Sequence, residues 1–223
     1  MTTNPELSTL IAGARAVLFD FDGPLCDVFA GMPADEVARQ LEQVMGERVD
    51  SDDPLQVLRE SVRFGPTVVR AVEDALIAAE VAAVSCSRQT PGGVEAIRSC
   101  LATDRLVAVV SNNSSDAVAA FLRAVGLASV PVVGRPYASP ERMKPNPWPL
   151  VSALELLRAD CRDAVFVGDS FTDLEASETV GVPCLAYANK PWKLEAFRAM
   201  NVLVVTSMGD ISCAIGEQSR GWA

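Results

Sequence analysis

The chain of 223 residues contains no histidine. This absence excludes Ser-His-Asp and Cys-His catalysis, metal sites built on imidazole, and proton shuttles that use histidine. Any acid–base chemistry near neutral pH must therefore use carboxylates, lysine, tyrosine or cysteine.

Lysine is almost as scarce, because the chain has only Lys144, Lys190 and Lys193 against a formal net charge of −10. Proteins that bind nucleic acids contact the phosphate backbone mainly through lysine and arginine. An acidic surface is also repelled by anionic membranes. We therefore expect no nucleic-acid partner and no membrane partner, and the sequence leaves the oligomeric state open.

The six cysteines are scattered and form no C-x-x-C pair, so neither a zinc site nor a redox pair is indicated. No apolar run is long enough for a membrane span, and the N-terminal segment does not read as a signal peptide. Reduced cysteines without a targeting segment favour a cytoplasmic protein.

Short apolar runs rich in Val, Ile and Leu recur along the chain, separated by stretches of helical periodicity. Continuous apolar runs are typical of parallel strands covered by helices. The sequence therefore predicts an α/β fold, with a Rossmann-like parallel sheet, helices on both faces and right-handed crossovers. The predicted strands are 16–21, 106–110, 130–133, 164–167, 183–187 and 202–205.

Four helical patterns accompany these strands. The first follows the turn at Pro91 and places Val94, Ile97 and Leu101 on one face. The other three span 115–125, 148–157 and 173–180, and glycines mark the ends of the first and last of these.

The stretch from residue 25 to about residue 85 differs from the rest. It shows no convincing strand and three amphipathic helical patterns, at 34–45, 54–64 and 66–84. A helical block inserted just after the first strand of an α/β sheet is typical of a lid. We therefore predict that residues 1–24 and 87–223 form the α/β core and that residues 25–86 form an α-helical cap.

Two carboxylates, Asp20 and Asp22, end the first predicted strand. Ligands of open parallel sheets bind at the carboxyl ends of the strands. Like charges this close need a counter-charge, which a divalent cation bound through oxygen atoms supplies. Taken alone, the pair fits a solvated loop or a helix cap as well as it fits a metal site.

Three further segments carry polar residues suited to the same task. Ser111 and Asn112 follow a strand, where they form either an anion site or an ordinary helix N-cap. Lys144 lies in a proline-rich loop, where a lone lysine is by default a surface residue. Asp169 ends another strand and Asp173 follows one helical turn later, so both face the same side, and capping explains only one of them.

The order and spacing of these four segments resemble the haloacid dehalogenase superfamily of hydrolases. The resemblance covers nearly the whole chain, since the helical insert is similar to that family's cap. The segments that match its four motifs are, in order, Asp20-Phe21-Asp22-Gly23, Ser111, Lys144, and Gly168-Asp169 with Asp173.

The resemblance implies a magnesium-dependent phosphatase that acts on a small phosphorylated metabolite. Asp20 is then the nucleophile that becomes an aspartyl phosphate, and Asp22 is the general acid and base. Mg²⁺ is held by the Asp20 carboxylate, the Asp22 backbone carbonyl and Asp169, while Asp173 orients Asp169 or a bound water.

By the same resemblance, Ser111, the Asn112 backbone and Lys144 hold the remaining phosphoryl oxygens. The chain departs from the family at Pro24, where members usually have Thr or Val. Proline removes a backbone donor and stiffens the loop, which bears on loop geometry and leaves the chemistry intact. Among the arginines of the insert we choose Arg63, beside the break before residue 66, to contact a second anionic group of the substrate.

Several alternatives exist. Dehalogenases of this superfamily lack an aspartate at the position of Asp22, and its phosphonate hydrolases use a cap lysine, whereas no lysine lies between Pro24 and Pro91. Phosphosugar mutases share all four motifs and also use a cap lysine, so its absence favours hydrolysis. The last alternative is a non-catalytic binding or regulatory protein on this fold, against which the complete set of carboxylates argues.

Overall fold

The structure, a computed structural model, describes residues 4–220. Ten α-helices and eight strands alternate along this part of the chain. The strands are β1 Ala16–Phe19, β2 Cys26–Asp27, β3 Arg88–Gln89, β4 Leu106–Val110, β5 Val132–Val133, β6 Ala164–Gly168, β7 Cys184–Tyr187 and β8 Leu203–Val205. The helices are α1 Pro5–Gly13, α2 Ala34–Met45, α3 Pro54–Ser61, α4 Pro66–Val84, α5 Gly93–Ala102, α6 Ser115–Ala124, α7 Trp148–Leu157, α8 Phe171–Val180, α9 Pro191–Ala199 and α10 Gly209–Arg220.

Six parallel strands form the main sheet, in the order β5-β4-β1-β6-β7-β8. Strand β1 lies in the middle, with Phe19 paired to Val109 of β4 and to Val167 of β6. From β1 the chain builds outward first on one side and then on the other. The carboxyl ends of β1, β4 and β6 therefore lie side by side, at the place where open α/β sheets bind ligands.

Strand β1 is buried on both faces, as its continuous apolar run predicts. Val17 and Phe19 pack into one hydrophobic cluster, whereas Ala16 and Leu18 pack into another on the opposite face. Helices thus cover both faces of the sheet, and the predicted Rossmann-like α/β fold is confirmed.

Helices α1, α9 and α10 were not predicted, the first two because they bury few residues. In α1 only Leu7 and Ile11 are buried, and in α9 only Phe197 is. Helix α10 contributes buried Ile211 and Ile215, and the Ser207 hydroxyl accepts a hydrogen bond from the N–H of Gly209 at its start, so its pattern was present but was not recognised. The expectation for Leu101 was wrong, since this side chain is 40% exposed and the preceding Cys100 is buried in its place.

Helices α2, α3 and α4 pack around a hydrophobic cluster of their own. The helix predicted over 54–64 stops at Ser61 and continues as a 3₁₀ turn, Val62–Phe64, because Gly65 takes a φ of 91° before Pro66. A short antiparallel pair, β2 with β3, joins the two segments that lead into and out of this helical block. The expectation of no strand there was wrong, since two-residue strands are too short to leave a pattern.

No helix within residues 4–220 is both long enough and apolar enough to cross a membrane.

Candidate active site

A cavity of about 230 Å³ opens at the carboxyl ends of β1, β4 and β6. The catalytic, phosphate-binding and metal-binding residues that the sequence predicts all line it, together with residues of the helical block between β2 and β3. The predicted residues in its wall are Asp20, Asp22, Ser111, Asn112, Lys144, Asp169 and Asp173. The four separate segments therefore form one site.

Asp20 continues the sheet one residue beyond β1, because its N–H donates to the Val167 carbonyl at 2.8 Å. Asp20 as a whole is 7% exposed. Oδ1 accepts a hydrogen bond from the N–H of Phe21 and lies 2.8 Å from Lys144 Nζ. The backbone and one lysine therefore fix the orientation of this carboxylate.

The loop after Asp20 closes without the donor that Pro24 lacks. The N–H groups of Leu25 and Cys26 both donate to the Phe21 carbonyl, and the N–H of Gly23 donates to the Cys26 carbonyl at 2.7 Å. Gly23 has a φ of 101°, and a Cβ there would overlap the Asp169 carboxylate. Glycine is thus required for the close approach of this loop to β6, and proline is accommodated.

Lys144 is fully buried and serves as the central cation of the site. Nζ lies 2.7 Å from Asp173 Oδ1 and 2.8 Å from Asp20 Oδ1, and it donates to the Val110 carbonyl at 3.1 Å. Burial by itself lowers the pKa of this amine, but the carboxylates of Asp173 and Asp20 outweigh it and raise the pKa above its ordinary value. Lys144 is therefore charged at neutral pH.

Asp173 both caps helix α8 and pairs with Lys144. Its Oδ2 accepts hydrogen bonds from the N–H groups of Asp169 and Ser170, both at 3.0 Å, which completes a capping box at the start of α8. Its Oδ1 pairs with Lys144. Asp173 thereby holds the backbone that carries Asp169 and also contributes charge to the site.

A divalent metal fits the donors of this cavity. Asp20, Asp169 and Asp173 each present a ligand atom, and these atoms lie within 4.8 Å of one another. With Asp22, four carboxylates meet two ammonium groups, those of Lys144 and Lys193. Burial is the main reason why the pKa values of Asp20, Asp22 and Asp169 are all raised. The described site is short of positive charge, which a hard cation bound through oxygen supplies.

Asp22 stands at the mouth of the cavity. The residue is solvent-accessible, yet enough protein surrounds its carboxylate that burial raises its pKa to about 6, against the opposing hydrogen bond from the N–H of Val28. A carboxyl group with such a pKa exchanges its proton near neutral pH, which suits general acid–base work.

The sequence patterns did not indicate two residues that contact Asp169. Lys193 Nζ lies 2.5 Å from Asp169 Oδ2, and Asn189 Nδ2 donates to the same oxygen at 3.2 Å. Both follow β7, whose carboxyl end adjoins that of β6. Their position after the end of a strand was the signal that could have indicated Asn189 and Lys193. A single lysine and a single asparagine do not form a recognisable motif, however.

The arginine of helices α2–α4 and their connections that lines this cavity is Arg59, and it is not the predicted Arg63. Arg59 Nη2 donates to the Lys144 carbonyl at 3.2 Å and lines the cavity wall. The Arg63 side chain is 76% exposed and pairs with Glu60. Arg59 lies in α3, whereas Arg63 lies in the 3₁₀ turn that follows, where the helical repeat that would place the two on one face is interrupted.

We expect the metal-free protein to lose stability as the pH rises from about 4 to about 7. The folded-state pKa of Asp22 is raised from 3.8 to about 6, so the folded protein binds more protons than the unfolded chain between these values. The contribution of protonated Asp22 to the free energy of unfolding is complete below pH 3.8 and is lost as the pH rises past about 6. Thermal melts in the presence of a chelator measure the slope.

The matched control for that measurement is Asp22→Asn, because other carboxylates and the overall acidity also contribute to the slope. The variant should melt with a shallower dependence on pH than the natural chain. Equal slopes for the two proteins would contradict the raised pKa.

Comparison with known proteins identifies a family on the same motifs. The model of the haloacid dehalogenase-like hydrolases matches residues 14–181. That span begins just before β1, ends at the C-cap of α8, and includes all the site residues described above except Asn189 and Lys193.

Individual relatives agree with this match. The chain is 26% identical over 200 residues to a phosphoglycolate phosphatase of Rhodospirillum rubrum, covering 79% of this chain and 82% of that protein. CbbY of Rhodobacter sphaeroides, solved in complex with phosphate, superposes with a TM-score of 0.66 at 18% identity over 88% of this chain and 95% of its own. A haloacid dehalogenase superfamily hydrolase of Geobacter sulfurreducens gives a TM-score of 0.56 at 25% identity, covering 91% of this chain and 97% of its own.

Proposed function

Since this chain belongs to the haloacid dehalogenase-like hydrolase family and is a phosphatase, we propose that it is a Mg²⁺-dependent phosphomonoesterase that works through an aspartyl phosphate. Residues 25–86 act in this proposal as the cap over the site. The observation that carries it is the arrangement of Asp20 and Asp22 in one cavity with Lys144 and the Ser111-Asn112 loop. A nucleophile, a proton donor and anion-binding groups are thus within reach of one phosphoryl group.

In the first step a carboxylate oxygen of Asp20 bonds to phosphorus while the bond from phosphorus to the leaving oxygen breaks. Asp22 gives its proton to that oxygen, and its raised pKa keeps part of the population protonated near neutral pH. The contacts to Lys144 and the N–H of Phe21 hold Asp20 in one orientation for this attack.

In the second step a water molecule attacks phosphorus and gives a proton to the Asp22 carboxylate. The bond between phosphorus and the Asp20 oxygen breaks, which releases inorganic phosphate and restores both aspartates. Lys144, Ser111 and Asn112 bind the non-bridging oxygens in both steps, where a single preorganised donor is worth roughly 10²–10³-fold in rate.

Asp20, Asp169 and the Asp22 carbonyl hold Mg²⁺ in this proposal, and the bound ion offsets the excess negative charge of the site and of the phosphoryl group. Asp173 keeps Asp169 in place through its backbone N–H. Lys193 pairs with Oδ2 of Asp169, so a bound metal would compete with Lys193 for this carboxylate.

The leaving group has room beside Asp22. A second cavity of about 630 Å³ shares Asp22 and Asp169 with the first and is lined by Arg88, Lys190 and Lys193. Cations on that side and Arg59 on the other suit a small leaving group that is itself anionic. Together with the Rhodospirillum rubrum relative, this makes 2-phosphoglycolate the first substrate to test.

The test is phosphate release from p-nitrophenyl phosphate and from a panel of phosphorylated metabolites, with Mg²⁺ and with a chelator. We expect activity that depends on Mg²⁺, and we expect Mg²⁺ to raise the melting temperature at neutral pH but not in Asp169→Asn. Release of no phosphate from any ester would favour a binding protein. Isomerisation of a sugar phosphate without net release would favour a mutase.

A further inference from the structure

A buried cluster of three charged residues joins helix α4 of the cap to the core. Arg135 is 5% exposed, Glu73 1% and Glu80 0%. Arg135 Nε lies 2.8 Å from Glu73 Oε1, and Nη1 lies 2.8 Å from Glu80 Oε1. Buried ion pairs recover little more than the cost of their own desolvation, so stability alone is a weak reason for placing three charges here.

Glu80 reaches beyond this cluster to the loop that carries Ser111 and Asn112. Its Oε2 accepts a hydrogen bond from the N–H of Ser114 at 2.8 Å, and its Oε1 accepts one from Asn113 Nδ2 at 3.2 Å. Ser114 is the N-cap of α6. In an ordinary capping box a Glu or Gln at the third helical position binds this N–H, but Ala117 occupies that position here. Glu80 supplies the missing carboxylate from the cap.

Asn113 relays this contact to Ser111. Its N–H donates to Ser111 Oγ at 3.1 Å, and its Oδ1 lies 3.2 Å from the same hydroxyl. Arg135 holds the other side of the loop, because Nη1 donates to the Asn112 carbonyl at 2.6 Å and the Arg135 N–H donates to the Asn113 carbonyl at 2.9 Å. Hydrogen bonds thus connect the Glu80 carboxylate to Asn113, and Asn113 to Ser111, the proposed phosphate ligand.

We propose that Glu80 is a positioning residue for the phosphate-binding loop, acting through Asn113 and Ser114. This inference rests on the proposed function, since it assigns the loop the task of binding a phosphoryl group. It also couples the site to the cap, because displacement of α4 removes the acceptor that fixes the loop.

Glu80→Gln is the informative change because all the partners of Glu80 are donors. Its oxygens face Asn113 Nδ2, the Ser114 N–H and two nitrogens of Arg135. Either orientation of a glutamine amide places a donor against a donor, at a site that offers no water-exposed alternative. We expect inorganic phosphate to bind the Mg²⁺-loaded protein at least about tenfold more weakly, with kcat/KM for p-nitrophenyl phosphate lowered by a similar factor.

Glu73→Gln is the matched control. It removes one carboxylate from the same cluster and the same Arg135, while no described contact joins Glu73 to Ser111, Asn113 or Ser114. Burial already raises the pKa of Glu73, which means that burial disfavours its charged form. Replacing this carboxylate by a neutral amide therefore costs less free energy than replacing a carboxylate with an ordinary pKa. We expect phosphate affinity and kcat/KM within about threefold of the natural chain, because the contacts of Glu80 to Asn113 and Ser114 remain. Equal losses in the two variants would overturn the proposal and make the cluster purely structural.

Phosphate binding by a second variant and hydrogen exchange of the backbone amides test the proposal independently. Asn113→Ala leaves the ion cluster in place and removes the side-chain contacts of Asn113 to Glu80 and Ser111, so it should weaken phosphate binding, and normal binding would overturn the role of Asn113 in the proposal. Hydrogen exchange of the amides of residues 114–117 should accelerate in Glu80→Gln but not in Glu73→Gln. If the natural chain neither binds nor releases phosphate, the proposed function fails and this exchange comparison alone decides the positioning role, with equal protection overturning it.

Discussion

Replacing Asp20 by Asn is expected to lower turnover by roughly 10⁴-fold or more while the fold stays intact. Asparagine keeps the shape of the side chain and can still accept the hydrogen bond from the N–H of Phe21. It cannot form the acyl phosphate that the mechanism requires. Steady-state phosphate release measures the loss, and mass spectrometry of acid-quenched protein detects the added phosphoryl group in the natural chain and its absence in the variant.

Stability should not fall in Asp20→Asn, because burial and the Asp173 carboxylate already raise the pKa of Asp20. Removing one of several crowded negative charges relieves repulsion. Asp27→Asn is a suitable control, since it alters an exposed aspartate that pairs with Arg88 at the edge of the neighbouring cavity. Near-normal turnover of Asp20→Asn would refute its role as nucleophile.

Lys144→Met is expected to affect both stability and catalysis. Methionine keeps the unbranched apolar stem of lysine but leaves Asp20 and Asp173 buried without the cation that lies 2.7–2.8 Å from each. Removing one partner from such a buried pair costs on the order of 3–5 kcal/mol. Turnover should fall by roughly 10²-fold or more, because the variant also lacks a donor to the phosphoryl oxygens.

Urea unfolding at neutral pH and at about pH 5 separates the two effects of Lys144→Met. The loss in free energy of unfolding should be smaller at the lower pH, because Asp20 and Asp173, which no longer have a cationic partner, take up protons. At neutral pH, Mg²⁺ should restore part of the lost stability. Lys190→Met removes an exposed lysine from the second cavity and should leave the free energy of unfolding unchanged. A Lys144→Met protein as stable and active as the natural chain would contradict the central position assigned to this amine.

The strand ends could be predicted because their signal is local. Asp20, Ser111 and Asp169 each follow a run of apolar residues, and parallel strands place such residues at one edge of the sheet without further information. Asp173 follows from the helical repeat after Asp169. Lys144 was identified only by resemblance, since a lysine in a loop gives no pattern by itself.

The contacts from outside these strands could not be predicted. Glu80 and Arg135 are 55 residues apart and have the composition of solvated surface residues, although both are buried. Whether a charged helical residue faces water or the protein depends on how α4 packs against α6, and that is a property of the tertiary structure. The choice of Arg63 over Arg59 failed for the same reason, because the break after Ser61 changes the direction of the chain.

The distribution of lysine has a practical consequence for handling the protein. All three lysines of the chain line the two adjoining cavities, and Lys190 is the exposed one among them. Coupling a dye or a solid support through side-chain amines therefore attaches it at the entrance of the site, where it obstructs access of small molecules. Cys213 is exposed on helix α10, away from both cavity walls, and offers a thiol for attachment that leaves the entrance open.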